Sequence, residues 1–224
     1  MRGSQKIIPP LKTADSSTSG LPVRLILLVL AALLAVASVA LPYWSLVLYA
    51  PQYPQGLKVT AYVDRLVGDV QEVDTLNHYI GMMRLEEAAQ LERSVAQGLI
   101  YGLAALTLGA AFARGFWRWL LPLPLVLFPI FFLADLAYWL WYAGHHLDPH
   151  APLSSAIKPF TPTVLGVGKI AQFKTVASVG PGYYLALAAA GLVLAAELWT
   201  RRQERRSRTA PEGVRATEGV QGKV

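Results

Sequence analysis

Four stretches of this chain stay apolar for long enough to cross the roughly 30 Å hydrocarbon layer of a bilayer. They run over about Val23–Pro42, Val95–Ala113, Leu120–Tyr142 and Tyr183–Thr200. Polar and mixed segments separate them. The pattern predicts an all-α membrane protein: a four-transmembrane-helix bundle over residues 22–200 with two structured extracytoplasmic loops, 43–94 and 143–182. The first run also has the position of a signal peptide. Its length, the polar residues before it and the three later spans favour a retained helix.

Within the first loop the period changes. Leu41-Pro42-Tyr43-Trp44 places aromatic residues where an interfacial belt is expected. Pro51–Gly56 reads as an irregular turn, and Leu57–Val63 alternates apolar and polar as a short strand does. Val67-Gly68-Asp69 reads as a turn into a second element. From Asp74 the pattern is helical, with Asp74 or Thr75 as N-cap. Leu85–Arg93 is rich in helix formers and predicts one long helix running into, or bending into, the second span.

Arg114–Trp119 is short enough to force an antiparallel hairpin between the second and third runs. Pro122, Pro124 and Pro129 would start or kink the third helix. The second loop is dense in Pro and Gly, which predicts irregular structure. Val167–Ile170 reads there as a plain turn, and Ile170–Phe173 as a short amphipathic element on the bilayer. Residues 1–21, and 201–224 beyond a first helical turn, are polar and expected to be disordered.

Composition agrees with a membrane class: 54% of the 224 residues are hydrophobic and the mean hydropathy is +0.40. Charge then orients the chain. Thirteen Lys and Arg residues lie on the side of the two termini and seven on the side of the long loops. Both termini are therefore expected in the cytoplasm, with the loops outside. The net charge of +6 is mostly this asymmetry; the arginines crowd just past the last span, where they meet anionic lipid, and no nucleic-acid partner is expected. The absence of cysteine excludes disulfides, thiolate metal sites, Fe–S clusters and covalent c-type haem.

All four histidines fall in the outward loops. Three lie in Gly144-His145-His146-Leu147-Asp148-Pro149-His150, directly after the third run; the fourth lies in Asn77-His78-Tyr79-Ile80-Gly81-Met82. Imidazole is the commonest ligand for Zn, Cu and Ni, and a thioether adds a soft ligand suited to Cu(I). The candidate metal ligands are thus His78, Met82, His145, His146, Asp148 and His150, with Asn77 and Tyr79 flanking His78. Copper is the cofactor this set suggests. The competing reading is a set of polar aromatic residues hydrogen-bonding backbone and headgroups at the bilayer surface.

Asp135 sits inside the third run, two turns from its outer end, and an intramembrane carboxylate is a functional candidate by default. A structural alternative is a hydrogen bond satisfied by neighbours such as Tyr138, Trp139 and Tyr142. Arg24 and Glu197 fall near the inner ends of their runs, where snorkelling would accommodate them. No span carries an interior histidine, so haem inside the bundle is not expected, although haem touching His145 or His146 at the outer rim stays open. No P-loop, Ser-His-Asp or H-E-x-x-H pattern is present, and no enzyme activity is expected.

Taken together, Pro51–Leu57 with Leu76–Met82, and Gly144–His150 with Lys158-Pro159-Phe160-Thr161-Pro162 and Ile170–Phe173, resemble a family of small integral membrane proteins. That family is associated with nitrous oxide reductase gene clusters of the second clade (NosB-like). The resemblance spans roughly residues 22–200 and carries over no catalytic residues. It implies the bacterial plasma membrane and an accessory role on its periplasmic side, beside a copper-dependent respiratory enzyme of nitrous oxide reduction. That role would be copper handling, maturation or electron supply. Membrane lipid and a periplasmic or membrane protein are the implied partners. Two other readings remain open: a quinol- or cytochrome-linked electron-transfer subunit with Asp135 and the outer aromatics near a quinone head, and a structural subunit packing through Gly- and Ala-rich faces such as Gly102–Gly109.

Overall fold

A computed structural model describes residues 20–153, 156–170 and 173–209. The first apolar run ends early as a helix. α1 (Gly20–Ser38) stops before Pro42, and the chain passes at once into strand β1 (Trp44–Ala50). A turn at Pro51-Gln52 leads to β2 (Tyr53–Ala61), then β3 (Leu66–Gly68). α2 (Val70–Ile80) and α3 (Gln90–Gly109) follow, then the short α4 (Trp117–Leu120) and the long α5 (Leu123–His145). The chain closes with the hairpin β4 (Gly166–Ile170) and β5 (Phe173–Val179), and with α6 (Pro181–Thr209).

The expected all-α four-span bundle is therefore corrected. The two outward loops build one antiparallel sheet of five strands, in the order β3-β2-β1-β5-β4. β1 pairs with β2 on one side (Leu46 opposite Val59) and with β5 on the other (Leu46 opposite Ala177). Two helical stretches are long and apolar enough to cross a membrane: Trp117–His145 and Pro181–Arg206. The apolar part of α1, Val23–Ser38, is shorter, and α3 is not among them.

The period-2 signal of these strands is present in the residues. In β5, Phe173, Thr175, Ala177 and Val179 fall on one face and Lys174, Val176 and Ser178 on the other. Val167–Ile170, expected as a turn, is strand β4. Ile170 pairs with Phe173 across the hairpin, and Ala171 and Gln172 of the expected amphipathic element lie outside the described residues. The single long helix expected before the second run is two helices. Asp74, expected as a cap, is buried inside α2, where its Oδ1 accepts the Leu85 N–H at 2.6 Å. The last helix reaches Thr209, two turns beyond the expected limit of order; residues 1–19 and 210–224 lie outside the described residues.

Packing follows one face of the sheet. Trp44, Leu46, Ala61 and Ala177 pack with Leu140 of α5, and Leu57 and Val59 pack with Val70 and Val73 of α2. α1 packs along α6 and α3, and α5 along α6. The outward faces of these helices are apolar: Ile26 and Leu33 on α1, Ile130 and Phe131 on α5, and Leu194 and Leu198 on α6 are all exposed. A continuous belt of this kind marks a membrane- or partner-facing surface.

The helix ends away from the sheet are held by charge. Arg24 and Glu197, expected to snorkel, are instead buried against each other, with Nη2 and Oε1 2.9 Å apart. Arg118 lies 3.7 Å from the same carboxylate and bonds Glu204 at 2.6 Å, and Arg201 stacks over Trp119 at 3.8 Å. The arginines and carboxylates tie α1, α4 and α6 at one end of the molecule, opposite the sheet.

Tyr43 joins the two ends of the design. Rather than sitting in an interfacial belt, its side chain is fully buried. Its N–H bonds the Ala61 carbonyl and its own carbonyl accepts the Gly180 N–H, both at 2.8 Å. The Ser38 hydroxyl donates to the Ala35 carbonyl at 2.6 Å, so the Tyr43 hydroxyl must donate to Ser38 Oγ, also at 2.6 Å. Burial pushes the phenol up to about 12 from 10.0, against the smaller pull of the Ser38 bond. A raised value means that this contribution to stability is intact below pH 10 and is lost as pH rises through about 12. Tyr43→Phe is expected to cost about 1 kcal/mol at neutral pH. It should also remove about 2–3 kcal/mol of alkaline destabilisation in that window, as read from detergent-solubilised melting curves at stepped pH. An unchanged alkaline limb would contradict the burial.

Candidate functional site

The end of α2 and the end of α5 present the histidines. α2 buries Val70, Val73, Asp74 and Asn77, so His78 in its last turn faces out. Gly81 then stops the helix in the left-handed region (φ 78°), and Met82 N–H returns to the Asn77 carbonyl at 2.9 Å. His78 and Met82 are therefore not on one helical face, as an i, i+4 spacing would have placed them. Asn77 has a structural duty: its amide reaches the Met83 carbonyl at 3.5 Å and helps to fold 82–88 back along α2.

α5 runs on through His145, and His146 is its C-cap. His145 Nδ1 lies 2.9 Å from the Trp141 carbonyl, and His146 Nδ1 lies 3.0 Å from the Tyr142 carbonyl. A carbonyl only accepts, so each Nδ1 carries a proton, which leaves Nε2 as the ring nitrogen that could bind a ligand. Stacking fixes the rings: His146 sits 4.0 Å from Tyr142 at 20°, and His145 sits 5.1 Å from Trp141 at 25°. This is the arrangement by which metal-binding histidines are oriented.

Two backbone hydrogen bonds bring the histidine-bearing segments together. Asp148 N–H donates to the Gly81 carbonyl at 2.8 Å, and Leu153 N–H to the Tyr79 carbonyl at 2.9 Å. The approach is close enough to require glycine at position 81, and Gly144 is crowded within its own loop. A Cβ on Gly81 would lie 2.6 Å from the Asp148 carbonyl oxygen, and one on Gly144 would collide with the Phe160 carbonyl oxygen. The result is an open cavity of about 1100 Å³ lined by His78, Met82, His145, His146 and Asp148 among others.

Sequence reasoning missed Met83, Glu86 and Glu87, which also line it. Met83 could have been read from its neighbour Met82, whereas the glutamates passed as helix formers. His150 stands apart from the cavity lining. It is exposed and holds Asp148, through its N–H to Oδ1 at 2.8 Å and its Nδ1 at 3.2 Å. The His150 N–H bond first, then the imidazole bond, keep the Asp148 carboxyl below the ordinary carboxylate range. This tie is present above that range and is lost only as pH falls through the lowered value.

Among the described residues no three His, Asp or Glu side chains converge as a preformed metal centre. The cavity offers nitrogen, thioether and carboxylate donors around open space. Tyr79 is half exposed, with its ring against His78 at 6.1 Å, and reaches the site through its backbone. Asp135 is elsewhere: on α5 it lines a second, apolar cavity with Trp139 and Leu136. No protein-family model matches the chain, and no curated protein matches it.

Gly81→Ala is expected to cost about 1–2 kcal/mol from the left-handed backbone alone. It should also part the two segments. Hydrogen exchange should then quicken at the Asp148 and Leu153 amides while β1 stays protected; equal protection in the variant would show that the tie is not needed.

Proposed function

We propose that this protein is a membrane-anchored accessory factor that takes up Cu(I) at its outer, sheet-bearing end and passes it on. What supports the reading is the convergence of His78 and Met82 with His145, His146 and Asp148 around one open cavity, drawn from segments about 65 residues apart. Imidazole and thioether together suit Cu(I) better than hard cations. Nδ1 of His145 and of His146 is held by a carbonyl, which leaves each Nε2 to bind a ligand. A cavity whose donors ring open space suits a transfer site, which must release its cargo, better than a permanent centre.

The membrane setting rests on the stretches Trp117–His145 and Pro181–Arg206 and on the exposed apolar belt of the helices. The arginine-rich ends of α4 and α6 are opposite the sheet, and positive charge favours the cytoplasmic side. We therefore place both termini in the cytoplasm of a bacterial cell and the sheet with its cavity in the periplasm. By its resemblance to NosB-like proteins, the recipient would be a copper-dependent enzyme of nitrous oxide respiration.

Titration of the purified full chain with Cu(I), against a chromophoric chelator, is expected to give one bound ion per chain. His145→Ala/His146→Ala should weaken binding by about 10–100-fold, as loss of metal-site donors does. Met82→Leu should weaken it less, and His150→Ala should leave it unchanged. Failure of the wild type to compete with the chelator would sink the copper reading.

A further inference from the structure

A second cavity, of about 810 Å³, lies where the buried face of the sheet meets α2, α3 and α5. Trp44, Leu46 and Ala61 wall it from the sheet and Leu136 and Leu140 from α5. Protein interiors are normally packed to crystal density, so an apolar space of ligand size is a feature to be explained.

Its rim indicates the phase from which it is reached. Leu91, Val95 and Leu99 of α3 and Phe131 of α5 line it, yet are 73%, 51%, 45% and 61% exposed. Phe131 belongs to the apolar stretch Trp117–His145, and α3 beside it presents Leu91, Val95 and Leu99, with Glu92 and Arg93 near the same helix end. Hydrocarbon wets the aliphatic part of this rim and water does not.

The interior is not wholly apolar. Asp135 of α5 and Glu92 of α3 both line it. Trp139 stands one helical turn from Asp135, and its indole N–H is buried without an acceptor in hydrogen-bond geometry. Arg93 also lines the space; its Nη2 bonds the Glu86 carbonyl, but its Nε is buried without an acceptor. Two buried donors without acceptors, in a lining that also holds two carboxylates, give an otherwise apolar chamber a polar part.

We infer that this cavity binds a lipid-phase amphiphile. Its carbonyl- or hydroxyl-bearing head sits among Asp135, Trp139 and Arg93, and its hydrocarbon chain leaves between α3 and α5. The inference is separable from copper at the other cavity: the two linings share only Met82, and none of the variants below touches Met82, His78, His145, His146 or Asp148.

The test uses the full chain, stripped of lipid and reconstituted in nanodiscs of saturated phosphatidylcholine. Radiolabelled decylubiquinone is the probe and oleic acid the competitor. One saturable site per chain is expected, weakened at least about tenfold by Ala96→Trp, which fills the space, and by Trp139→Phe, which removes one donor. Should Ala96→Trp fail to fold, Trp139→Phe decides. The exposed Val167→Ala on β4 should bind as wild type does. Displacement by oleic acid, with acyl lipid retained through purification, identifies the occupant as an acyl-chain lipid. Saturable probe binding without that displacement identifies an isoprenoid quinone. Non-saturable uptake, equal in wild type and both variants, would overturn the proposal.

Discussion

Everything at the sheet-bearing end of this protein depends on where β1 sits. Because Trp44–Ala50 pairs with β2 on one edge and β5 on the other, two loops close into one sheet through partners as far apart in the chain as Ser45 and Ser178, 133 residues. Backbone hydrogen bonds are obligatory once a segment leaves water, and β1 spends both edges satisfying them. Tyr43 fixes the strand's start, bonded to Ala61, Gly180 and Ser38 at once. Trp44 adds a bond from its indole to the Val164 carbonyl at 2.6 Å, which draws in the segment that follows α5. The ends of α1, α5 and α6 are thereby set relative to the sheet.

Two chambers of opposite character follow from that arrangement. Where α2 and α5 end beside each other, backbone contacts through Gly81 hold polar, histidine-rich segments around open space. Where the sheet's buried face meets α3 and α5, aliphatic and aromatic walls leave an apolar chamber with one polar corner. The buried Arg24–Glu197 pair holds the far end. Buried pairs of this kind specify which helices meet more than they add net stability, and here the pair commits α1 to α6. The molecule is thus polarised along its length, with guanidinium and carboxylate groups at one end and imidazoles at the other.

The helical part was legible in the residues to within a few positions, because long apolar runs carry their own signal. α1, α3, α5 and α6 overlap the four predicted runs, but α1 stops at Ser38 and α3 at Gly109, and among the described residues two stretches are long and apolar enough to cross a membrane; α1 meets α3 and α6 across long connections, which no local pattern announces. Part of the sheet was read, since the strand expected over Leu57–Val63 overlaps β2; the other strands were hidden for particular reasons. β1 begins directly after α1, so its Trp44-Ser45-Leu46 alternation reads as the tail of a hydrophobic run. Pro and Gly density across 143–182 masked the alternation Phe173–Val179, although Gly168 and Gly180 are there because Thr163 and Pro42 crowd them. Strand pairing between distant segments is a property of the fold and has no local trace. At the site, the cluster of donors was visible as residue types. The exclusion of His150 was not, because it depends on Asp148 turning back to its own loop.

The weld made by β1 can be tested in one step, since the chain has no cysteine to confuse the result. Ser45 of β1 and Ser178 of β5 are register partners, with hydroxyls 3.1 Å apart. Partners in an antiparallel pair stand about 4.5–5.5 Å apart at Cα, within reach of a disulfide. Ser45→Cys/Ser178→Cys should oxidise to an intramolecular bond between residues 133 apart, seen by mass spectrometry of the digested, non-reduced protein. Full retention of both free thiols under oxidant would mean that the two long loops do not share a sheet, and the convergence of the histidines would fall with it.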